Sequence, residues 1–356
     1  MQIQKTFWGE ANGRAVYLFD LQAQPGFRAR VSNFGGVLQS LVFEKSDGES
    51  LDLVLGYDTL EKYRQNATFF GACIGPIADR LAEGSCVLNG ARVQLARNAG
   101  PDSMHSGPTG FHSQVWDWEE LPDGIAFVQS FTQAQIGFPG TLRTRIAYRI
   151  SSERTLRLEY SASCDCETAL SMTNHSYFNL DGGRRHCRDY TLTLFADAYA
   201  ETTRETEPIF TGRALPVEGT PFDLRKGGRI GDVIARRDFH EILTGNGIDH
   251  FFLTRGSGMR AHASLYSPTS NLSLLCRSDA PGVLVYSGNG LDGEAGKGGA
   301  VYGRNYAVCL ETERFPNAVN FENRRAGVLL QPGESYHSAT EFSFAEGFPA
   351  PYQGQD

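Results

Sequence analysis

Two stretches of the chain carry side chains whose types and spacing suit proton transfer. In the first, Met172-Thr173-Asn174-His175-Ser176-Tyr177-Phe178-Asn179-Leu180, an extended backbone puts Thr173, His175, Tyr177 and Asn179 on one face. Met172, Phe178 and Leu180 fall on the other, because side chains alternate along a strand. The polar face has no Lys, Glu or Arg, the residues that usually cover a solvent-facing strand, so it reads as the lining of a cleft. In the second, Val308-Cys309-Leu310-Glu311-Thr312-Glu313-Arg314, Glu311 ends an apolar strand before a turn. A carboxylate there is placed to act as a general base. Pairing with Arg314 is the plainer reading, and Glu313, on the same face, is the rival carboxylate. Three smaller groups are weaker alone: His105 in Asp102-Ser103-Met104-His105-Ser106-Gly107, Asp249-His250 ahead of Phe251-Phe252, and Asp79-Arg80.

Other chemistries lack their residues. His105 and His112 stand seven apart with no H-E-x-x-H, so no metal site is expected. No G-x-S-x-G elbow presents a serine nucleophile. Gly288, Gly290 and Gly293 match a dinucleotide fingerprint, but Glu294-Ala295-Gly296-Lys297-Gly298-Gly299 is too glycine-rich to open the helix that fingerprint needs.

The elements that must position these groups are strands. Leu142, Ile146, Tyr148 and Ile150 alternate with Arg143, Arg145 and Arg149, and Leu156, Leu158 and Tyr160 alternate with Arg157 and Glu159. Further strands are expected at 125–131, 190–196, 271–276, 282–286, 306–310 and 342–344. Asn89-Gly90 inside 87–93 predicts a type I′ hairpin, whose turn needs positive φ at both residues. Helices are few and short: one opened by Asp58 with capping-box spacing to Glu61, running through Tyr63, and one over 232–239. Many short strands joined by turns predict an all-β fold, a large antiparallel β-sandwich, as a single domain spanning 1–356.

Lys and Arg total 33 against 41 Asp and Glu, a net charge of −8, which argues against nucleic-acid or anionic-membrane binding. No run approaches the ~18 apolar residues of a membrane span, and the N-terminal residues lack a signal-peptide h-region. The seven cysteines form no CxxC pair, and several lie in apolar runs as small hydrophobes. This usage predicts a cytoplasmic protein.

Taken in order, the segments resemble the aldose 1-epimerase (galactose mutarotase) family. Asn174-His175-Ser176-Tyr177-Phe178-Asn179-Leu180 is similar to its histidine motif. Leu310-Glu311-Thr312 with Phe315-Pro316-Asn317-Ala318-Val319-Asn320 is similar to its glutamate motif. Phe70-Gly71-Ala72, Ala78-Asp79-Arg80-Leu81, Met104-His105-Ser106-Gly107, Ile248-Asp249-His250-Phe251 and Tyr286-Ser287-Gly288-Asn289 support it. The resemblance implies a galactose mutarotase-like supersandwich with a sugar cleft on a concave sheet. It implies Glu311 as general base and His175 as general acid, with Arg80, His105 and Asp249 holding the sugar. It also implies a free monosaccharide as substrate, no metal or organic cofactor, and a monomer or homodimer. Tyr177 would offer a wall to the sugar's apolar face.

Anomer interconversion needs the C1 hydroxyl proton removed while the ring oxygen gains one. With reference pKa values of ~4.3 and ~6.5, Glu311 as carboxylate and His175 as imidazolium, facing each other across the ring, would do both. The chain departs from the family pattern at Pro76 (often Arg), Asp79 (commonly Asn), Leu284 (often Gln) and Glu313 (commonly Gln), which predicts altered sugar preference. Two other readings fit the same residues. One is a non-catalytic sugar-binding or regulatory protein on this fold. The other is a glycoside hydrolase using Glu311 and Asp249.

Overall fold

The alternating runs build the middle of the largest sheet. In the computed structural model, which describes residues 1–65, 68–151, 153–203 and 208–348, Thr141–Ile150 pairs antiparallel with Thr155–Cys164, Ile146 facing Tyr160. Leu142, Ile146, Tyr148, Leu156 and Leu158 are buried, so period-two patterning puts the apolar set on the core side. Seven further strands complete a nine-stranded sheet that includes Gly124–Thr132, Tyr336–Glu346 and Leu272–Ser278. A five-stranded meander begins with Gln2–Ala11 and ends with Ser50–Asp52.

The sheet that concerns function has six strands: β1 (Tyr177–Phe178), β2 (Ala196–Thr202), β3 (Phe210–Pro216), β4 (Asp249–Thr254), β5 (Gly282–Tyr286) and β6 (Val308–Glu313). Their spatial order is β1-β6-β5-β4-β2-β3, and their pairings are antiparallel. One face packs on the nine-stranded sheet. Phe178 lies 4.8 Å from Phe342 between ring centroids, and the Thr312 hydroxyl meets that of Thr340. Large aromatic and aliphatic side chains from both sheets form one buried cluster running in sequence from Phe19 to Phe344, the two-layer arrangement of a sandwich.

The expected hairpin is present: Ser85–Leu88 and Ala91–Gln94 flank Asn89 and Gly90, with φ of 51° and 71°. Other expectations need correction. The strand placed at 306–310 is Val308–Glu313, so Glu311 lies inside it and not at its end. The helix through Tyr63 is Leu60–Arg64 with Thr59 as N-cap and no side-chain cap bond; Asp58 instead accepts from the Gly298 N–H. The single helix over 232–239 is two short ones, Ile230–Ile234 and His240–Thr244. Among the described residues no helix is long and apolar enough to cross a membrane. All seven cysteines are free and six are buried, matching their reading as core residues.

Candidate functional site

Register fixes which side chains share the free face of the six-stranded sheet. Glu311 stands opposite Leu284 and Glu313 opposite Gly282. Asp249 stands opposite Tyr286, and Tyr177 opposite Cys309. Because alternate residues face the same way, Tyr177, Asp249, Leu284, Tyr286, Glu311 and Glu313 line one cleft with a cavity volume of about 230 Å³. Gly282 matters here: a Cβ would lie 2.4 Å from the Phe251 ring, so only glycine admits that ring at the position opposite Glu313.

His175 reaches the cleft from the link between Thr173–Asn174 and β1. Its backbone is tied on both sides, N–H to Ala72 O at 2.9 Å and C=O from Gly71 N–H at 2.9 Å. The Asn174 amide donates to Gly71 O at 2.8 Å and to the Tyr148 hydroxyl at 3.1 Å. A Cβ on Gly71 would lie 2.2 Å from Leu38 O, so this anchor admits no larger residue. The polar row expected along 173–179 is therefore only half in the cleft. His175 and Tyr177 stack at 4.8 Å with planes 5° apart and line it. Thr173 lies elsewhere in the interior, and the Asn179 side chain holds the following turn through Arg185 O, Tyr306 O and the Gly183 N–H. Phe178 is core, as its other-face position required.

Arg80, Asp79 and His105 come from a two-stranded ladder in which Arg80 pairs with Met104. The His105 N–H donates to Asp79 O at 3.0 Å, and the Asp79 N–H donates to His105 Nδ1 at 3.1 Å. That second bond fixes the neutral tautomer: with Nδ1 accepting, the ring proton lies on Nε2. His105, His175 and Glu311 do offer ligand atoms within 4.8 Å of one another, a 2-His-1-carboxylate set. The fixed Nε2–H, however, makes His105 a donor where a cation would need a lone pair. The trio suits a hydroxyl oxygen better than a metal.

Glu311 Oε1 and His175 Nε2 are 3.6 Å apart, both side chains buried. They are neighbours on one side of the cleft and do not face each other across it. The expected pairing with Arg314 is absent; that guanidinium donates to Gly327 O and covers the Tyr336 ring. Burial, with Asp79 and Asp249 adding negative charge, pushes the Glu311 carboxyl well above its ordinary value. Burial pushes His175 down to about 3. These shifts favour the pair's proton on the carboxyl, the reverse of the expected carboxylate and imidazolium. Burial also raises Asp79 to about 6, opposed by Arg80. Asp249, raised by burial and by Asp79, reaches about 7.

Phe69 is the residue sequence reasoning missed. Its ring lies 6.1 Å from His175 at 14° and edge-on to His105 and His112 at 4.7 and 4.9 Å. The only signal was its place before Phe70-Gly71. Phe69, Asp79, His105 and Ser106 all have positive φ, 52–64°, a conformation costly for non-glycine residues that gathers at functional sites. Among the described residues, Thr68, Met104, Thr202, Pro208 and Phe210 complete the lining, while Pro76 does not reach it.

The sequence model of the aldose 1-epimerase family matches residues 17–343. The chain belongs to the aldose 1-epimerase family. Human galactose mutarotase is 36% identical over 348 residues, covering 96% of this chain and 98% of its own. Aldose 1-epimerase of Escherichia coli K12 is 32% identical over 338 residues, 94% and 96% of the two chains. Among solved structures, an aldose epimerase homologue from C. elegans superposes with a TM-score of 0.85 at 26% identity, covering 93% of this chain and 99% of its own. Galactose 1-epimerase of Lactobacillus acidophilus gives 0.84 at 26%, covering 98% and 99%. The resemblance read from the sequence, the sandwich fold and the assignment to a family of sugar-isomerising enzymes all stand.

Proposed function

We propose that the protein interconverts the α and β anomers of a free aldose by acid–base opening and reclosure of the ring, with Glu311 as base and His175 as acid. One observation carries this reading: a carboxyl and an imidazole 3.6 Å apart on the floor of a cleft of sugar size. The two oxygens that exchange a proton, the C1 hydroxyl and the ring oxygen, are bonded to the same carbon. An acid and a base side by side match them better than a pair on opposite sides of the ring.

The step requires the pair to hold one proton in all. With that proton on His175, the Glu311 carboxylate takes the C1 hydroxyl proton while His175 gives its own to the ring oxygen. The bond from C1 to the ring oxygen breaks and a free aldehyde remains. Rotation about the C1–C2 bond exposes its other face, and both transfers run backwards to close the second anomer. The shifts of the two groups favour the proton on Glu311, so it must first cross the short gap to His175. The Nε2–H of His105 and the Arg80 guanidinium, whose buried Nη1 has no partner among the described residues, would hold sugar oxygens. Asp249 and Asp79 would accept from hydroxyls, with Tyr177 as an apolar wall. Such fixing places both transfers in reach at once.

Among the described residues, Arg80 is the one Lys or Arg in the lining against Asp79, Asp249, Glu311 and Glu313, so phosphorylated sugars should bind poorly. Free cysteines fit a reducing compartment, and we place the protein in the cytoplasm.

Polarimetry of freshly dissolved α-sugars tests the assignment, across galactose, glucose, arabinose, xylose and fucose. Wild type should speed equilibration, and Glu311→Gln should lower kcat by about a hundredfold or more, the size of a general-base contribution. Sugar binding without acceleration would instead mark a binding protein on this fold.

A further inference from the structure

Glu313 is not needed by the reaction just described, yet it is built into its cleft. The side chain is 2% exposed and lines the pocket. Among the described residues its Oε1, which is buried, has no hydrogen-bond partner. The charged groups acting on it, Asp79 and Glu311, are both negative, and with burial they push its carboxyl well above the ordinary value. A neutral hydroxyl would be served as well by an amide, without the cost of burying an acid among acids. What this position lacks, and what a ligand could bring, is a positive charge with hydrogens to donate.

Among aldoses, the substituent that supplies this and leaves the anomeric centre intact is an ammonium. Glu311 addresses C1, and Glu313 is the next residue on the same strand face. The ring carbon bonded to C1 is C2. Resting on the mutarotase reading, we propose that Glu313, with Asp79 beside it, forms a cation subsite that selects 2-amino-2-deoxy aldoses in their ammonium form. The ammonium carries three donors and no acceptor, and its positive charge would favour the carboxylate form of Glu313, whose lone pairs accept from it. An N-acetylated amine is neutral and bulkier, and it forfeits the match.

The test compares galactosamine with galactose and glucosamine with glucose, with the N-acetyl sugars as uncharged controls. Assays near pH 6.5 keep the amine, of reference pKa ~7.7–8.0, protonated. Polarimetry gives kcat/KM, and titration calorimetry gives Kd on the same samples. Wild type should prefer each amino sugar over its parent by roughly tenfold, as expected for a charge-assisted hydrogen bond, and should disfavour the N-acetyl forms. In Glu313→Gln the amino-to-parent ratio should fall to near one, whereas Glu313→Asp, which keeps the charge, should hold it above one. Turnover of the parent sugars with no amino preference, or a ratio unchanged in Glu313→Gln, overturns the subsite alone. Tighter amino-sugar binding that Glu313→Gln abolishes, without turnover of any sugar, supports the subsite and sinks the mutarotase reading.

Discussion

At the scale of single residues, burial decides where protons rest. Reference values put the proton of a Glu–His pair on the imidazole at neutral pH. A dry, acidic cleft reverses this, because desolvation penalises both charged forms and the neighbours of Glu311 are carboxyls. In the proposed scheme the pair is active while it holds one proton, so kcat/KM should fall at high pH as the last one leaves. Asp249 helps retain it. Asp249→Asn should therefore move the alkaline limb toward lower pH by about one unit; a limb that stays put, or moves the other way, contradicts the scheme. Phe69→Ala tests the aromatic wall. Removing a ring contact worth ~0.5–1.5 kcal/mol should raise KM a few-fold and leave the pH profile in place. That Glu311, His175, Arg80, His105, Asp79 and Asp249 would share one cleft was legible from residue type and order. Their protonation was not, since it depends on what packs around them, and Phe69 was not, since nothing in its neighbours marks a phenylalanine held at φ 58°.

At the scale of elements, the alternation at 142–150 and 156–160 and the turn at Asn89-Gly90 could be read directly, because one residue's face fixes the next. The row at 173–179 could not be followed to its end. The chain leaves Thr173–Asn174, pairs again only at β1, and then turns, so His175 and Tyr177 share a face while Asn179 becomes a turn anchor. Strand β6 likewise runs two residues past Glu311, and that extension brings Glu313 into the cleft. The anchor below His175 is open to test. Asn174→Ala removes donors to Gly71 O and the Tyr148 hydroxyl and leaves buried groups unpaired, at a cost of about 1–3 kcal/mol. A lower melting temperature should accompany a drop in kcat larger than any change in KM, because the imidazole loses its support while the sugar contacts remain.

At the scale of the whole molecule, the acidic cleft is a load on stability. Asp79 and Asp249 have folded values of about 6 and about 7 against ordinary carboxyls near 3.8 when unfolded. A raised value means the folded state binds protons that the unfolded state has released. The stability these groups contribute is complete below pH ~4 and is lost as pH rises through 6 to 7. Buried His175 and His250, lowered to about 3, and His112 and His262, lowered to about 4, act oppositely: their contribution is complete above pH ~6.5 and shrinks on acidification. Glu313 follows the carboxyl pattern. Glu313→Gln should raise the melting temperature at pH 8, by the equivalent of about 1–3 kcal/mol, with the gain vanishing near pH 4. An equal gain at both pH values would mean that charge is not its source.

The short gap between Glu311 and His175 has one more consequence. In the proposed scheme, each opening moves one hydrogen from the sugar to the carboxylate and one from the imidazole to the sugar, and each closure returns them. The site thus finishes a turnover as it began, whichever anomer entered, with no hydrogen borrowed from outside. Its speed should be indifferent to buffer concentration, and it can hasten the approach to the anomeric balance but never tilt it.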